Sequence, residues 1–386
     1  MAIRACAQGH PAFHKLWSYY RDRTAHLREC QASGKPVVGK LGFGVCDELI
    51  LAAGMESLAV SPDASFPRDL SDRYLEYSFT EKGKVLFSMI ASGDRARLPD
   101  YVVLADSEDV MNRLYYYLRE LKRTEPERGL PELYLADWLY ARHPRYLKWN
   151  EKVLERFAVQ LEAWSGTGIT EEALRQAIAL YNRQHAAVSS ILLHRSGARP
   201  RVTGSEALVI LGARDYMDKG SYTRCVEELA ASVETWPEIP GIRLFFSGSV
   251  QSDLTVYEWL EENGFHVCGE DHDGGMGVFD RAIRTGLPPV QALAEHYTMG
   301  LPRAQKGLVK DRVDSLMKQI KTAGAAAVLF WHDAYDEAGS WEYPSMKAAL
   351  DKAGFPCLNA IKQPYPPVFG PSLLDGLAEL KRRTGG

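Results

Sequence analysis

With 386 residues, 46% of them hydrophobic and 25% charged, the chain can fill more than one core, and at roughly 100 to 200 residues per domain two or three are expected. A formal net charge of -4 excludes a partner selected by basic surplus, so no nucleic-acid role is implied, and short basic runs such as Lys122-Arg123 and Lys381-Arg382-Arg383 read as solvated surface. No stretch reaches the roughly 18 consecutive apolar residues of a membrane span, the first residues lack a secretory signal, and six scattered cysteines without a C-x-x-C pair indicate neither a disulfide framework nor a local zinc or ferredoxin-type site, so a reduced, cytoplasmic protein is expected.

Aromatic and apolar positions (Phe13, Leu16, Trp17, Tyr20, Leu27) spaced along His10 to Gln31 predict one amphipathic helix, an arm over residues 1–34 that packs on the body or on a partner. The run KPVVGKLGFGVCDELILAAGMESLAV then opens a first α/β lobe, 35–130, with a strand at Val37-Val38, a glycine-rich turn and a helix from Cys46 to Ala53. A second strand at Pro99 to Asp106 leads into a helix marked by Met111, Leu114, Tyr115, Leu118 and Leu121. Long helices at Trp149 to Trp164 and Glu171 to Leu193 form a helical connection over 131–198; Thr170 is the N-cap of the second, with Glu171 and Glu172 where the helix dipole favours negative charge.

From 199 to 386 the apolar runs Ile242–Ser249, His266–Asp271, Ala325–Asp333 and Phe355–Ile361 alternate with helical segments at Leu254–Asn263, Ala304–Ala323 and Tyr343–Ala353. Such alternation implies an α/β fold of two doubly wound (flavodoxin/Rossmann-like) lobes with mostly parallel sheets, and the two lobes are candidates for distant structural duplicates. Cys268 and Cys357 are expected to pack in strands. Ligand crevices in this class lie beyond the strand carboxyl ends, here the loops beginning at Gly42, Asp106, Ser247, Gly269 and His332.

Those loops carry the chemistry. Ser247-Gly248-Ser249 follows a strand and can offer backbone amides to a phosphate, although small residues at such turns are common in this fold class. There is no phosphate-binding G-x-x-x-x-G-K-[ST] loop, and Gly42-Phe43-Gly44 lacks the third glycine of a dinucleotide site, so independent nucleotide hydrolysis and NAD binding are disfavoured. Gly269 to Gly275 gathers Glu270, Asp271, His272, Asp273 and Gly274 on one loop, either a capped glycine-rich turn or a set of carboxylates able to raise one another's pKa for acid or base work. His332, Asp333, Asp336 and Glu337 reach the same sheet edge, where His332 is either a satisfied structural group or a catalytic one. A metal held by His272, Asp273 and His332 is an alternative, with no recognised ligand spacing behind it. Glu108 and Asp109 sit at the matching edge of the first lobe, where helix-dipole stabilisation already explains acidic residues.

Four stretches, KPVVGKLGFGVCDELILAAGM, DYVVLADSEDVMNRLYYYL, IRLFFSGSVQSDLTVYEWLEENGFHVCGEDHDGG and AAAVLFWHDAYDEAGSWEYPSMKAALDKAGFPCLNA, resemble in order the family of 2-hydroxyacyl-CoA dehydratase and benzoyl-CoA reductase subunits. The resemblance implies a heterodimer that holds a 4Fe-4S cluster on cysteines and receives low-potential electrons from an ATP-hydrolysing activator. Here the likeness departs from its pattern: Tyr77 or Ser78, Glu108-Asp109 and His332-Asp333 stand where the cysteines belong, which leaves Cys46 and Cys268 as the remaining thiols to consider. The resemblance therefore implies a subunit that binds no cofactor firmly itself and contributes an acyl-CoA or aromatic-CoA pocket, with the cluster on a homologous partner and ATP at a separate activator. His332, Asp273, Glu108 and Asp271 are the candidate catalytic groups, and Ser247, Gly248, Ser249 and Gly274 the candidate substrate contacts. An assembly or interaction subunit, or a lyase or hydrolase with a non-cluster metal, are the alternatives.

Overall fold

The apolar runs form eight strands in a computed structural model that describes residues 3–302 and 306–385. The first sheet contains β1 (Val37–Leu41), β2 (Glu56–Ala59), β3 (Tyr101–Ala105) and β4 (Glu132–Ala136); the second contains β5 (Ile242–Gly248), β6 (Phe265–Glu270), β7 (Ala327–Asp333) and β8 (Cys357–Gln363). Both are wholly parallel, and their orders match: β2-β1-β3-β4 and β6-β5-β7-β8. In register, Val38 pairs with Ser57 and Tyr101 on either side, and Leu244 with Val267 and Ala327. The expected pair of doubly wound lobes is thus present, with one strand order used twice.

Strands buried along their whole length need cover on both faces. Each outer face is covered by its own helices, Glu81–Ala91 and Asp109–Thr124 for the first sheet and Val309–Ala323 and Glu337–Ala353 for the second. The inner faces share one core, in which Leu49 and Ile50 of the first lobe and Leu244 and Val267 of the second join the helices Leu147–Ser165, Glu171–Ser196 and Gly204–Gly212. Thr170 caps the second of these by accepting from the Ala173 amide.

Several boundaries differ from the sequence reading. β4 pairs with β3 (Tyr101 opposite Glu132), so the first sheet closes beyond residue 130; its half-exposed edge strand carries too weak an apolar signal to be read alone. The one helix read over His10 to Gln31 is two, Pro11–Arg21 and Ala25–Ser33, broken where Asp22 leaves helical geometry and accepts from Arg28 at 2.6 Å, and a short helix, Ala5–Gln8, precedes them in the arm. The arm packs on the body: Phe13, Leu16 and Tyr20 are buried, with Phe13 edge-on to Trp236 at 6.3 Å. Cys268 and Cys357 lie in strands as expected. Of the helix read from Ala304, residues 303–305 lie outside the described residues and the helix runs Val309–Ala323. Among the described residues, no helix is long and apolar enough to cross a membrane.

Candidate active site

In each sheet the chain winds one way after the first strand and the other way after the third, so the loops following β1 and β3, and those following β5 and β7, diverge and leave a crevice. The two crevices face one another and merge into an interlobe cleft of 790 Å³ lined by Gly42, Phe43, Glu108, Ser249, Asp273 and Asp333, among others. The loops of the first lobe are tied together at Gly42, whose φ of +77° and whose closeness to Ser107 admit no side chain, while the Phe43 amide donates to Ser107 Oγ at 3.0 Å.

One end of the cleft is acidic. Glu108, Asp273, Asp333 and Asp336 converge there around Lys82, whose Nζ is 2.7 Å from Asp333. Burial, reinforced by the charges of Asp273 and Asp336, pushes the Glu108 carboxyl up to about 8. A carboxyl with such a value is a proton donor at neutral pH, so this end can act as a general acid. Burial also raises Asp336, against the pull of a hydrogen bond from Ser249 Oγ. At the other end Lys40 bridges Asp47 at 2.9 Å and Asp215 at 2.8 Å, and Arg214 also pairs with Asp47. Phe43, Tyr140, Tyr181 and Tyr297 also line the cleft, aromatic surface suited to an apolar group.

The sequence candidates divide into two levels. Glu108, Ser249, Asp273 and Gly274 line the cleft. Ser247, Gly248, Asp271 and His332 lie behind it, around a smaller chamber that shares Glu108, Ser249, Asp273 and Asp336 with the cleft. Asp271 accepts from Ser247 Oγ at 3.2 Å and from the Gly248 amide, and Arg312 stands 3.9 Å away. His332 is 2% exposed, and burial beside Arg312 holds its imidazole down to about 4.

This corrects the reading of Ser247 to Ser249 as a phosphate cradle. The Gly248 and Ser249 amides are taken by Asp271 and the Trp331 carbonyl, and the Ser247 and Ser249 hydroxyls donate to the Asp271 and Asp336 carboxylates, a setting that repels an anion. Gly248 is instead a packing glycine: at φ +122° a Cβ would stand 2.2 Å from the Trp331 carbonyl oxygen. Gly248→Ala is expected to cost about 1–3 kcal/mol or more, read as a lower unfolding temperature; an unchanged melt would show that β7 yields freely.

The two histidines do not form a metal site together. His272 bonds Tyr257 at 3.0 Å, part of a network running through Glu270 to Arg195, and among the described residues no three His, Cys, Asp or Glu side chains are grouped as metal ligands. Sequence reasoning missed Lys40, Asp47, Lys82, Arg214 and Tyr297. Lys40, a charge inside the apolar strand β1, was the one detectable signal; the others lie on helices whose periodicity hides which turn meets the cleft.

The family model described as 2-hydroxyglutaryl-CoA dehydratase, D-component, matches residues 43–360. The chain belongs to this family. Among similar proteins, the (R)-2-hydroxyglutaryl-CoA dehydratase subunit beta of Acidaminococcus fermentans is 22% identical over 346 residues, 86% of this chain and 88% of the relative. The (R)-phenyllactyl-CoA dehydratase beta subunit of Clostridium sporogenes is 25% identical over 203 residues, 51% of this chain and 53% of the relative. A benzoyl-CoA reductase subunit of Thauera aromatica is 22% identical over 193 residues, 48% of this chain and 50% of the relative. The chain thus spans about half the length of the last two.

Of the positions at which the resemblance puts cluster cysteines in this 2-hydroxyglutaryl-CoA dehydratase D-component family member, Ser78, Glu108, Asp109 and Asp333 line the cleft, whereas His332 lines the chamber behind it. They offer a hydroxyl, carboxylates and an imidazole, whereas an iron-sulfur cluster of this type requires thiolates. Cys46 and Cys268 are buried, directed at Glu48 and the Leu244 carbonyl, and burial pushes both thiols up, away from the thiolate form. The residues present do not fit a 4Fe-4S cluster.

Proposed function

We propose that this chain is the non-cluster subunit of a 2-hydroxyacyl-CoA dehydratase- or benzoyl-CoA reductase-type complex. It supplies the wall of an acyl-thioester pocket and a proton donor, while a homologous partner carries the 4Fe-4S cluster and an ATP-dependent activator feeds it electrons. The observation that carries the reading is the interlobe cleft, in which Glu108 stands as a high-pKa acid at a position without thiol ligands. Dehydration is favoured over aromatic reduction because the hydroxyglutaryl relative aligns over 346 residues and the benzoyl relative over 193. Loss of hydroxide from a 2-hydroxyacyl thioester consumes a proton at the leaving oxygen, the step Glu108 is built to assist.

The test is anaerobic purification from the native host, with iron, sulfide and zinc measured on the complex and on this chain alone, followed by acyl-CoA binding calorimetry. Iron and sulfide confined to a co-purifying partner, together with acyl-CoA binding that needs this chain, are expected. Stoichiometric cluster on the isolated chain would overturn the reading, and a complex that binds acyl-CoA equally well without this chain would leave it an assembly subunit.

A further inference from the structure

Behind the acidic end of the cleft lies the chamber of 30 Å³, room for about two water molecules. Four elements of the second lobe close it: Asp271 follows β6, His332 lies in β7, Arg312 comes from the helix Val309–Ala323, and Glu342 from the helix Glu337–Ala353. All are charged or titratable, and all are almost fully removed from solvent. Arg312 Nε donates to Glu342 at 3.1 Å, while its Nη1 stands 3.9 Å from Asp271, so Glu342 holds the guanidinium more closely than Asp271 does.

The hydrogen bonding of this chamber is incomplete within the protein. Both ring nitrogens of His332 and Oδ1 of Asp271 are buried without a hydrogen-bond partner among the described residues. An imidazole carries one N–H and one lone pair, or two N–H groups, so neither ring nitrogen is indifferent to having a partner. Buried polar atoms of this kind are normally satisfied by protein or by ordered water. The Nδ1 edge of the ring faces Gly339, where an added Cβ would come within 2.5 Å, so only a glycine at this position leaves room for the imidazole. Space, donors and acceptors therefore coincide at one place, and that place opens on the same Glu108, Asp273 and Asp336 that form the acidic end of the cleft.

We infer that this chamber is a hydrated proton store, in which water held between His332 and Asp271 replaces the proton that Glu108 gives up at the cleft. When the O–H bond of the Glu108 carboxyl breaks toward the substrate, the carboxylate takes a proton from chamber water. That water is restored through His332, which accepts on one nitrogen and donates from the other, by the proton of the Asp271 carboxyl. Asp271 is reloaded from bulk water when product leaves and the cleft reopens. No electron moves and no further reactant is needed. Burial favours the protonated form of both Asp271 and Glu342, against the pull of Arg312, as a store requires, and His332 stays neutral, as a relay requires. The consumer of the proton rests on the acyl-CoA reading of the cleft; the hydration of the chamber does not.

Two measurements separate these parts. In the full-length chain labelled with ¹⁵N-histidine, His332 is expected to show exchange cross-peaks to water and nitrogen shifts of a hydrogen-bonded ring; a dry ring overturns the store outright. In the complete complex, His332→Ala is expected to lower kcat at least tenfold with KM for acyl-CoA within twofold, and added imidazole is expected to restore several-fold of the loss. An unchanged kcat, or a loss in a normally folded variant that imidazole does not touch, would mean that His332 only fills space. A hydrated ring in a complex that binds no acyl-CoA would overturn the proposed function and, with it, the proton-supply role.

Discussion

Replacing Glu108 by Gln is expected to cut turnover of the assembled complex about 100-fold or more, within the range a positioned general acid contributes, while acyl-CoA binding changes little. The variant keeps the side chain's size and removes only its proton. Because burial and the neighbouring Asp273 and Asp336 hold the wild-type carboxyl at about 8, wild-type kcat should fall as pH rises through that value, and this limb should be missing from Glu108→Gln. Stability follows the same titration. A carboxyl whose folded pKa lies above its ordinary 4.5 favours the native state at low pH and loses that contribution as pH rises from about 4.5 through about 8. The variant, which cannot ionise, should therefore melt close to wild type at pH 5 and above it at pH 9. Thermal unfolding at the two values decides the point: equal melts at pH 9 would mean that Glu108 is not held protonated by its surroundings.

This proton donor was visible in the sequence only as an acidic residue between a strand and a helix, where a dipole argument already accounted for it. What makes it functional is the second lobe, which brings Asp273 and Asp336 to it from more than 160 positions away, and local pattern carries no trace of that approach. β7 was legible because it is buried up to its last residue and opens on the apolar run Ala327 to Trp331, and β6, buried throughout, shows Phe265, Val267 and Cys268. β2 and β4 are four- and five-residue strands, and in β4 only Ala136 is buried, so their signal is weak. His332 and Asp271 were recognised as candidates by their place after strands, yet place alone could not say that they face a chamber rather than the cleft. The direction of a side chain at a strand end depends on the last pleat and on the turn that follows, and here Gly248 and Gly339 are the positions where a side chain would meet Trp331 and His332. The amphipathic arm was read as unbroken because its apolar positions continue across Asp22 to Thr24, while the break itself is made by hydrogen bonds that involve Asp22, Thr24 and Arg28.

The largest loss of stability is expected from Arg195→Met, about 3–5 kcal/mol, because it leaves the Glu270 carboxylate buried without its cation. Both side chains of this pair are 1% exposed, and the guanidinium also donates through Nε to the Val267 carbonyl at 2.8 Å, so it ties the helix Glu171–Ser196 to β6 beside the bond between His266 Nε2 and the Arg195 carbonyl at 2.9 Å. Burial alone would raise the Glu270 carboxyl, but the Arg195 charge outweighs it and holds the group at about 2. A depressed carboxylate contributes stability that is present above its ordinary 4.5 and is lost as pH falls toward 2, so wild type and Glu270→Gln should draw together in urea midpoint between pH 5 and pH 2. Replacing both members, Arg195→Met with Glu270→Leu, should recover part of the single-variant loss, since no unpaired charge then remains. Full recovery is not expected, because Glu270 also accepts from the Met276 amide at 2.7 Å and from Tyr257 at 3.1 Å. Tyr257 in turn holds His272 at the chamber wall, so the double variant should lose turnover more than it loses stability; if the two fall in proportion, the network serves only to join the helix to the sheet.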